Sequence, residues 1–153
     1  MLTKKIIESE FSFVDSIFGN AESYCGTDIF DQHGDSCDIY FSSMNRNVTQ
    51  TQIEIYNSFK KGFKKYLPEI EKYIIHKNNP SQEKLSNSIR DSILCFDVVH
   101  VPQNNPKYDL VLICSKTIKR FLWFKSNMPI RVEIRNECII SIKTTNDTTR
   151  DNE

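Results

Sequence analysis

The densest group of potential metal ligands in the sequence lies between positions 31 and 38. Alternate side chains of an extended strand share one side, so four candidate ligands would lie together there: Asp31, His33, Asp35 and Cys37. A metal ion needs three or four such groups converging at about 2.0–2.3 Å. Gly34 stands in the middle of the group, and Asp and Gly are common at hairpin tips, so a turn would separate the ligands. We therefore expect a hairpin tip here, with no bound metal and no cofactor.

Cysteine-based catalysis is the second chemistry that the residue types allow. It requires a thiol, a histidine base and a group that orients the histidine. His100 and Cys114 lie on two strands predicted to be neighbours, so this pair is the candidate. The flanking residues carry none of the local signatures of cysteine enzymes. We expect no catalytic residue, and a small cysteine-dependent enzyme stands as an alternative.

The cysteines and the N-terminus indicate a cellular compartment. The thiols are odd in number and no two lie within three residues of each other: Cys25, Cys37, Cys95, Cys114 and Cys138. This spacing is not typical of a secreted disulfide scaffold or of a zinc site. The first residues lack the apolar run of a signal peptide, and no window is long and apolar enough to span a membrane. We expect reduced thiols in a cytoplasmic protein with no membrane partner.

Charge is balanced over the whole chain but unevenly distributed. Twenty acidic and twenty basic residues give no net charge, which argues against a general nucleic-acid binder. Residues 1–50 nevertheless hold eight acids against three bases. An acidic surface of this kind would favour encounter with a basic protein. The candidate partner-binding residues are the acids and tyrosines of this region: Glu22, Tyr24, Asp28, Asp31, Asp35, Asp38 and Tyr40.

Two basic segments support an alternative function. Lys60–Lys65 holds four lysines, and the aromatic residues of Phe121–Lys125 are bracketed by the bases Lys119, Arg120 and Lys125. Proteins that bind single-stranded nucleic acid stack bases on such rings. A nucleic-acid-associated or adaptor domain using these two surfaces is therefore the second hypothesis, although direct nucleic-acid binding is not expected from the zero net charge.

The 153 residues are the length of one domain, which we place at 1–145, followed by a polar tail at 146–153 that we expect to be frayed. Residues 6–47 read as strands and include a hairpin around Gly34. Alternation in its second strand predicts one face toward the core (Cys37, Ile39 and Phe41) and one face outward (Asp38, Tyr40 and Ser42).

The middle of the chain reads as helical. Thr49 and Gln52 form a capping box, and an apolar stripe follows at steps of three and four: Ile53, Tyr56, Phe59, Phe63, Leu67, Ile70 and Ile74. Pro68 predicts a kink or a break in this helix. The pattern Asn79-Pro80-Ser81-Gln82 predicts a short second helix.

The last stretch returns to strands. Leu94–Val101 and Leu110–Cys114 are apolar on both faces, as central strands are, and 130–135 with 138–142 form a closing hairpin. Strands, then helices, then strands indicate an α+β fold, with a largely antiparallel twisted sheet and the long helix packed across one face.

The order of these elements resembles small bacterial α+β domains found among the immunity proteins of polymorphic-toxin and contact-dependent growth inhibition systems. The shared features are Ile17-Phe18-Gly19 ending an early strand, a short hairpin, a long capped helix with Gln52 near its start, and a closing hairpin. Related domains often carry Glu-His-Gly near the closing strands, where this chain has Phe121–Lys125 and Met128. We therefore transfer no function that depends on that motif.

The resemblance implies a non-catalytic cytoplasmic protein that binds and blocks one cognate toxin domain, often a nuclease. Such toxins are commonly basic, which suits the acidic residues between Asp28 and Asp38. On this hypothesis the protein is a monomer, or a heterodimer with its toxin.

Overall fold

The computed structural model of the chain describes residues 1–18, 21–30, 36–77, 94–121 and 124–144. Its helices and strands are, in chain order, α1 (Lys4–Glu10), β1 (Ser12–Phe18), β2 (Ala21–Ile29), β3 (Ser36–Ser42), α2 (Gln50–Gly62), a 3₁₀ turn (Phe63–Tyr66), α3 (Leu67–Lys77), β4 (Leu94–Val101), β5 (Leu110–Phe121), β6 (Phe124–Arg135) and β7 (Cys138–Thr144). The predicted α+β class, with the helical stretch between two groups of strands, is confirmed.

The strands form one seven-stranded sheet in chain order, β1 to β7. Every neighbouring pair is antiparallel except β3 and β4, which are parallel. Parallel neighbours need a long crossover connection, because the chain must return to the same end of the sheet. Helices α2 and α3 lie in the connection from Ser42 to Leu94 that makes this crossover, so they join two neighbouring strands that run in the same direction.

The start of α2 is joined to the parallel strands through one side chain. Thr49 caps the helix and Gln52 completes the capping box, as predicted. The Gln52 amide nitrogen also donates hydrogen bonds to the carbonyl oxygens of Ser42, at 2.8 Å, and Val101, at 3.0 Å. These carbonyls end β3 and β4. Gln52 therefore fixes the helix over the junction of the two strands, a contact that the local pattern does not reveal.

The long helix breaks near Pro68, as predicted. α2 ends at Gly62, a 3₁₀ turn follows, and Pro68 is the second residue of α3. Proline is tolerated in the first turn of a helix because the amide group it lacks has no intrahelical acceptor there. The apolar stripe is buried at five of its seven predicted positions, namely Ile53, Tyr56, Phe59, Ile70 and Ile74.

The core lies between the helices and one face of the sheet, which we call the helix face; it carries Cys37, Ile39 and Phe41, all fully buried. These three positions confirm the predicted inward side of β3. The opposite face, which we call the far face, carries Asp38, Tyr40 and Ser42. Tyr40 and Ser42 are only 8% and 6% exposed, so the prediction that they face solvent is wrong. β3 lies inside the sheet, and on the far face Tyr40 contacts Cys25 of β2 while Ser42 contacts His100 of β4.

One further prediction differs from the structure, several lie outside the described residues, and one more is confirmed. Residues 4–10 form helix α1 rather than the start of a strand; Thr3 caps this helix, and its Ile7 is fully buried in the core. The hairpin tip at 31–35, the short helix predicted from Asn79 and the tail at 146–153 lie outside the described residues. The closing hairpin is confirmed, and its turn residues Asn136 and Glu137 both have positive φ.

Candidate functional site

The structure divides the predicted acidic surface between the two faces of the sheet. Thr27 pairs with Asp38 and Asp28 with Cys37, so Asp28 lies on the helix face and Asp38 on the far face. By alternation along β2, Glu22 and Tyr24 share the face of Asp28, while Tyr40 shares that of Asp38. Asp31 and Asp35 lie outside the described residues. The candidate residues therefore do not form one continuous surface.

Asp28 joins β2 to α2. Its carboxylate forms an ion pair with Lys60 and accepts a hydrogen bond of 2.6 Å from the Tyr56 hydroxyl. Burial pushes the pKa of Asp28 upward, but the hydrogen bonds from Lys60, Tyr56 and the Ile29 amide outweigh it and hold that pKa below its usual value. Asp28 and Lys60, which the sequence pattern assigned to two separate binding surfaces, thus neutralise each other.

Both tyrosines of the predicted surface are buried. Tyr24 is 8% exposed, its hydroxyl donates to the Arg46 carbonyl at 3.2 Å, and its ring packs edge-on against Phe13. Tyr40 is equally buried, and a hydrogen bond to the Cys25 thiol, together with burial, raises the pKa of Tyr40 to about 12. An interface anchor must present its ring to the partner, so neither tyrosine suits that role in this conformation.

The exposed part of the β2–β3 hairpin lies on the far face near its tip. Asp38 is exposed there, and across from it Thr27 is also exposed. Ile29, two residues beyond Thr27 on β2, is 55% exposed and places an apolar side chain next to them. The sequence pattern assigned no role to Ile29, because alternation alone cannot tell an exposed apolar residue from a buried one. We call Thr27, Ile29 and Asp38 the hairpin surface.

The basic segment of the helices is also divided. Lys60 pairs with Asp28, and the Lys65 ammonium lies 2.8 Å from the Glu137 carboxylate. Lys61 and Lys64 are exposed. Of the four lysines in this segment, Lys61 and Lys64 are therefore the two that point to solvent without an acidic partner among the described residues. The side chains of Phe121–Lys125, the other half of this hypothesis, lie outside the described residues.

His100 and Cys114 do not meet. Phe96 pairs with Cys114 but Val98 pairs with Ile113, so β4 contains a bulge at Asp97. A bulge inserts one extra residue and reverses which alternate side chains face the core. Cys114 consequently lies on the helix face and His100 on the far face. The thiol–imidazole pair that the cysteine-enzyme alternative requires is therefore not formed by these two residues.

His100 instead contacts a serine. The Ser42 hydroxyl oxygen lies 2.6 Å from His100 Nε2, and both residues are buried. Burial, with a smaller contribution from the positive charge of Arg131, lowers the pKa of His100 to about 4. The imidazole is therefore neutral at pH 7 and holds the Ser42 hydroxyl in a hydrogen bond. A hydroxyl beside a neutral imidazole is the pairing on which serine nucleophiles depend, but both groups here lie within the sheet at 5–6% exposure.

The buried thiols are poor nucleophiles. Burial, together with the negative charges of nearby carboxylates, raises the pKa of Cys37 to about 12 and that of Cys114 to about 12. The thiolate is the reactive form of cysteine, so neither thiol is activated at neutral pH. Cys138 is exposed and Cys25 and Cys95 are half-buried. Among the described residues, no three His, Cys, Asp or Glu side chains come together to hold a metal ion.

Comparison with known proteins adds no assignment: no family model, no curated protein and no solved structure matches this chain. Within the described ranges, none of the helices has the length and apolar character needed to cross a membrane.

Proposed function

We propose that this protein is an immunity-type binding protein: it binds one toxin domain in the bacterial cytoplasm, covers its active site or substrate groove, and carries out no catalysis itself. The proposal joins the resemblance of the element order to the hairpin surface. The observation that carries it is Ile29, an apolar side chain 55% exposed beside acidic residues.

The hairpin surface combines the two properties that a protein interface requires. Ile29 supplies an apolar group that loses water on binding, and such central groups carry most of the affinity of an interface. Asp38 supplies negative charge at the rim and makes no ion pair with a described residue, so its field is available to a basic partner. Complementary rim charge raises the association rate. The partner we propose is therefore a basic toxin domain, bound as a heterodimer.

On this proposal the neighbouring open reading frame encodes the toxin domain, and the test uses that domain, first in cells and then in purified form. Wild-type protein should protect cells that express the toxin. Ile29→Asp should weaken binding about tenfold or more, which corresponds to ~1.4 kcal/mol. Asp38→Lys should slow association, most strongly at low salt. Glu69→Lys reverses an exposed acid on α3 and serves as the matched control, with unchanged binding expected.

Two results would contradict the proposal at different levels. Absence of protection by the wild-type protein would reject the immunity function. Protection that survives both hairpin variants would leave the function standing and remove the hairpin surface from it.

The second candidate is a nucleic-acid-associated domain, which the exposed pair Lys61 and Lys64 favours. If it is correct, mixed RNA and DNA oligonucleotides should raise the fluorescence anisotropy signal at low salt, and the double variant Lys61→Glu, Lys64→Glu should abolish that rise. A protein that binds neither nucleic acid at low salt does not belong to this class.

A further inference from the structure

A cavity of about 290 Å³ lies between α2, the start of β5 and the turn that joins β6 to β7. Its floor is apolar and includes Phe59, Tyr66, Leu110 and Ile134. Each of these residues is at most 5% exposed, so the floor belongs to the rigid core of the protein. The cavity is remote from the hairpin surface, because it lies at the strands β5 to β7 rather than at β2 and β3.

The size of the cavity limits what it can hold. Sites for drug-sized ligands usually span about 300–1,000 Å³. This cavity, at about 290 Å³, lies at the lower end of that range and suits a group of roughly butyl or phenyl size. An apolar body of that size would contact the floor and leave a polar end at the rim.

The rim of the cavity is acidic. It includes three carboxylates, those of Glu54, Asp109 and Glu137. Glu54 accepts a hydrogen bond from the Gln50 amide at 3.0 Å, and Asp109 accepts one from the Asn136 backbone amide at 2.7 Å. Ionised carboxylates have about four acceptor sites each, so these bonds leave further acceptor capacity. A positive group at the rim would therefore find both hydrogen-bond acceptors and compensating charge.

One ammonium group of the protein itself, that of Lys65, already lies beside this rim, next to a carboxylate and an aromatic ring. Lys65 Nζ lies 2.8 Å from a Glu137 oxygen and 5.1 Å from the centre of the Tyr66 ring. A cation over an aromatic face is attracted by the negative charge of that face. Glu137 has φ of 59°, and its carboxylate also accepts from the Ser58 hydroxyl at 2.6 Å, so the β6–β7 turn is fastened to α2. Lys65 offsets the negative charge of Glu137, and the carboxylates of Glu54 and Asp109 remain available to a bound cation.

We propose that this cavity binds a small organic cation, with an apolar body on the floor and an ammonium or guanidinium group at the Glu54 and Asp109 side of the rim. The same chemistry could come from a free metabolite or from a lysine or arginine side chain of a bound protein. The cavity is complete within one chain, and its place far from the hairpin surface favours the free molecule. This inference does not depend on the proposed function.

Phenethylamine and phenethyl alcohol are the matched probes, since they share an apolar body and differ in charge. Binding is measured at pH 7 and low salt by titration calorimetry and by chemical-shift changes in the protein. We expect the amine to bind at least tenfold more tightly than the alcohol. Glu54→Gln should reduce this preference several-fold, whereas Glu69→Gln, an exposed acid outside the cavity, should leave it unchanged. Ile55→Phe, which fills the cavity from α2, should weaken both probes.

Equal affinities of the two probes, or no binding of either at millimolar concentration, would overturn the proposal. So would a Glu54→Gln variant that behaves like Glu69→Gln. Thermal unfolding checks that each variant is folded; if Ile55→Phe is not, Ser58→Phe at the exposed rim replaces it. Where the wild-type protein protects cells against a toxin, the filled variant also distinguishes the two sources of the cation: unchanged protection supports a free ligand, and lost protection with normal stability would overturn that source.

Discussion

The two faces of the central strand pair bury different chemistry to a similar extent. On the helix face, Ile39 and Phe41 are fully buried among apolar side chains of the helices. On the far face, Tyr40 and Ser42 are 8% and 6% exposed, and each is held by a hydrogen bond to a specific neighbour. Burial is thus set by position in the middle of the sheet. The side chain then determines what burial requires: packing on one face and hydrogen-bond partners on the other.

This difference has energetic consequences. An apolar side chain that is truncated loses contacts and leaves a cavity. Replacing both partners of a buried hydrogen bond by apolar groups of the same shape changes the free energy of unfolding little. Removing only one partner leaves the other buried without a hydrogen bond, and the protein is destabilised by the desolvation free energy of that group. The helix face should therefore respond to changes in volume, and the far face to changes in hydrogen bonding and pH.

The largest effect is expected from Phe41→Ala on the helix face. Phe41 is fully buried, with ring contacts to Phe11 and Tyr56, so its removal should lower the free energy of unfolding by about 3–5 kcal/mol. Ile29→Ala, at an exposed apolar residue that ends β2, should change the free energy of unfolding by less than about 0.5 kcal/mol. Urea unfolding measures both. Similar values for the two variants would contradict the assignment of the core to one face.

The next effect belongs to His100 and depends on pH. Its pKa of about 4 in the folded state lies below the ordinary 6.5, so the unfolded chain binds more protons between these values. Stability should therefore fall as the pH is lowered through this window, and His100 should account for about 3 kcal/mol of the loss between pH 7 and pH 4.

His100→Gln isolates this contribution, because glutamine retains a polar group for Ser42 but does not titrate. The difference in unfolding free energy between wild type and variant should change steadily from pH 6.5 to 4 and level off above pH 7. Carboxylates such as Asp97, whose pKa burial raises, are common to both proteins and cancel in the difference. A difference independent of pH would show that His100 is not buried in its neutral form.

Local patterns were sufficient to predict much of this fold. The α+β order, the capping box at Thr49 and the break near Pro68 each depend on residues within a few positions of one another. The inward side of β3 also follows from alternation alone. These features have short-range physical causes, so a single sequence contains them.

The candidate site depended on information that is not local. Alternation predicted one side for Asp38, Tyr40 and Ser42, but not that a central strand would bury two of them. One extra residue at Asp97 moved His100 away from Cys114 and toward Ser42. No local pattern in the sequence marks this bulge, because it arises from how β4 pairs with β5. The likeness to immunity proteins stays a prediction for the same reason: it depends on element order and not on a site.

The smallest effect separates two aspartates that the sequence placed on one surface. Asp28→Asn removes the charge that pairs with Lys60 and weakens the acceptor of the Tyr56 hydroxyl, so it should lower the unfolding free energy by about 1–2 kcal/mol at pH 7. Because the pKa of Asp28 is lowered on folding, its contribution to stability is present above the usual pKa of 3.8 and is lost as the pH falls through the folded-state value.

Asp38→Asn on the far face is the control, with a change in unfolding free energy below about 0.5 kcal/mol. Tyr56→Phe should reproduce part of the Asp28 loss, since it removes the same hydrogen bond from the other side. If both aspartate variants were equally stable, the contacts of Asp28 with Lys60 and Tyr56 would contribute nothing to stability, and Asp28 would again be a candidate for binding the toxin from the helix face.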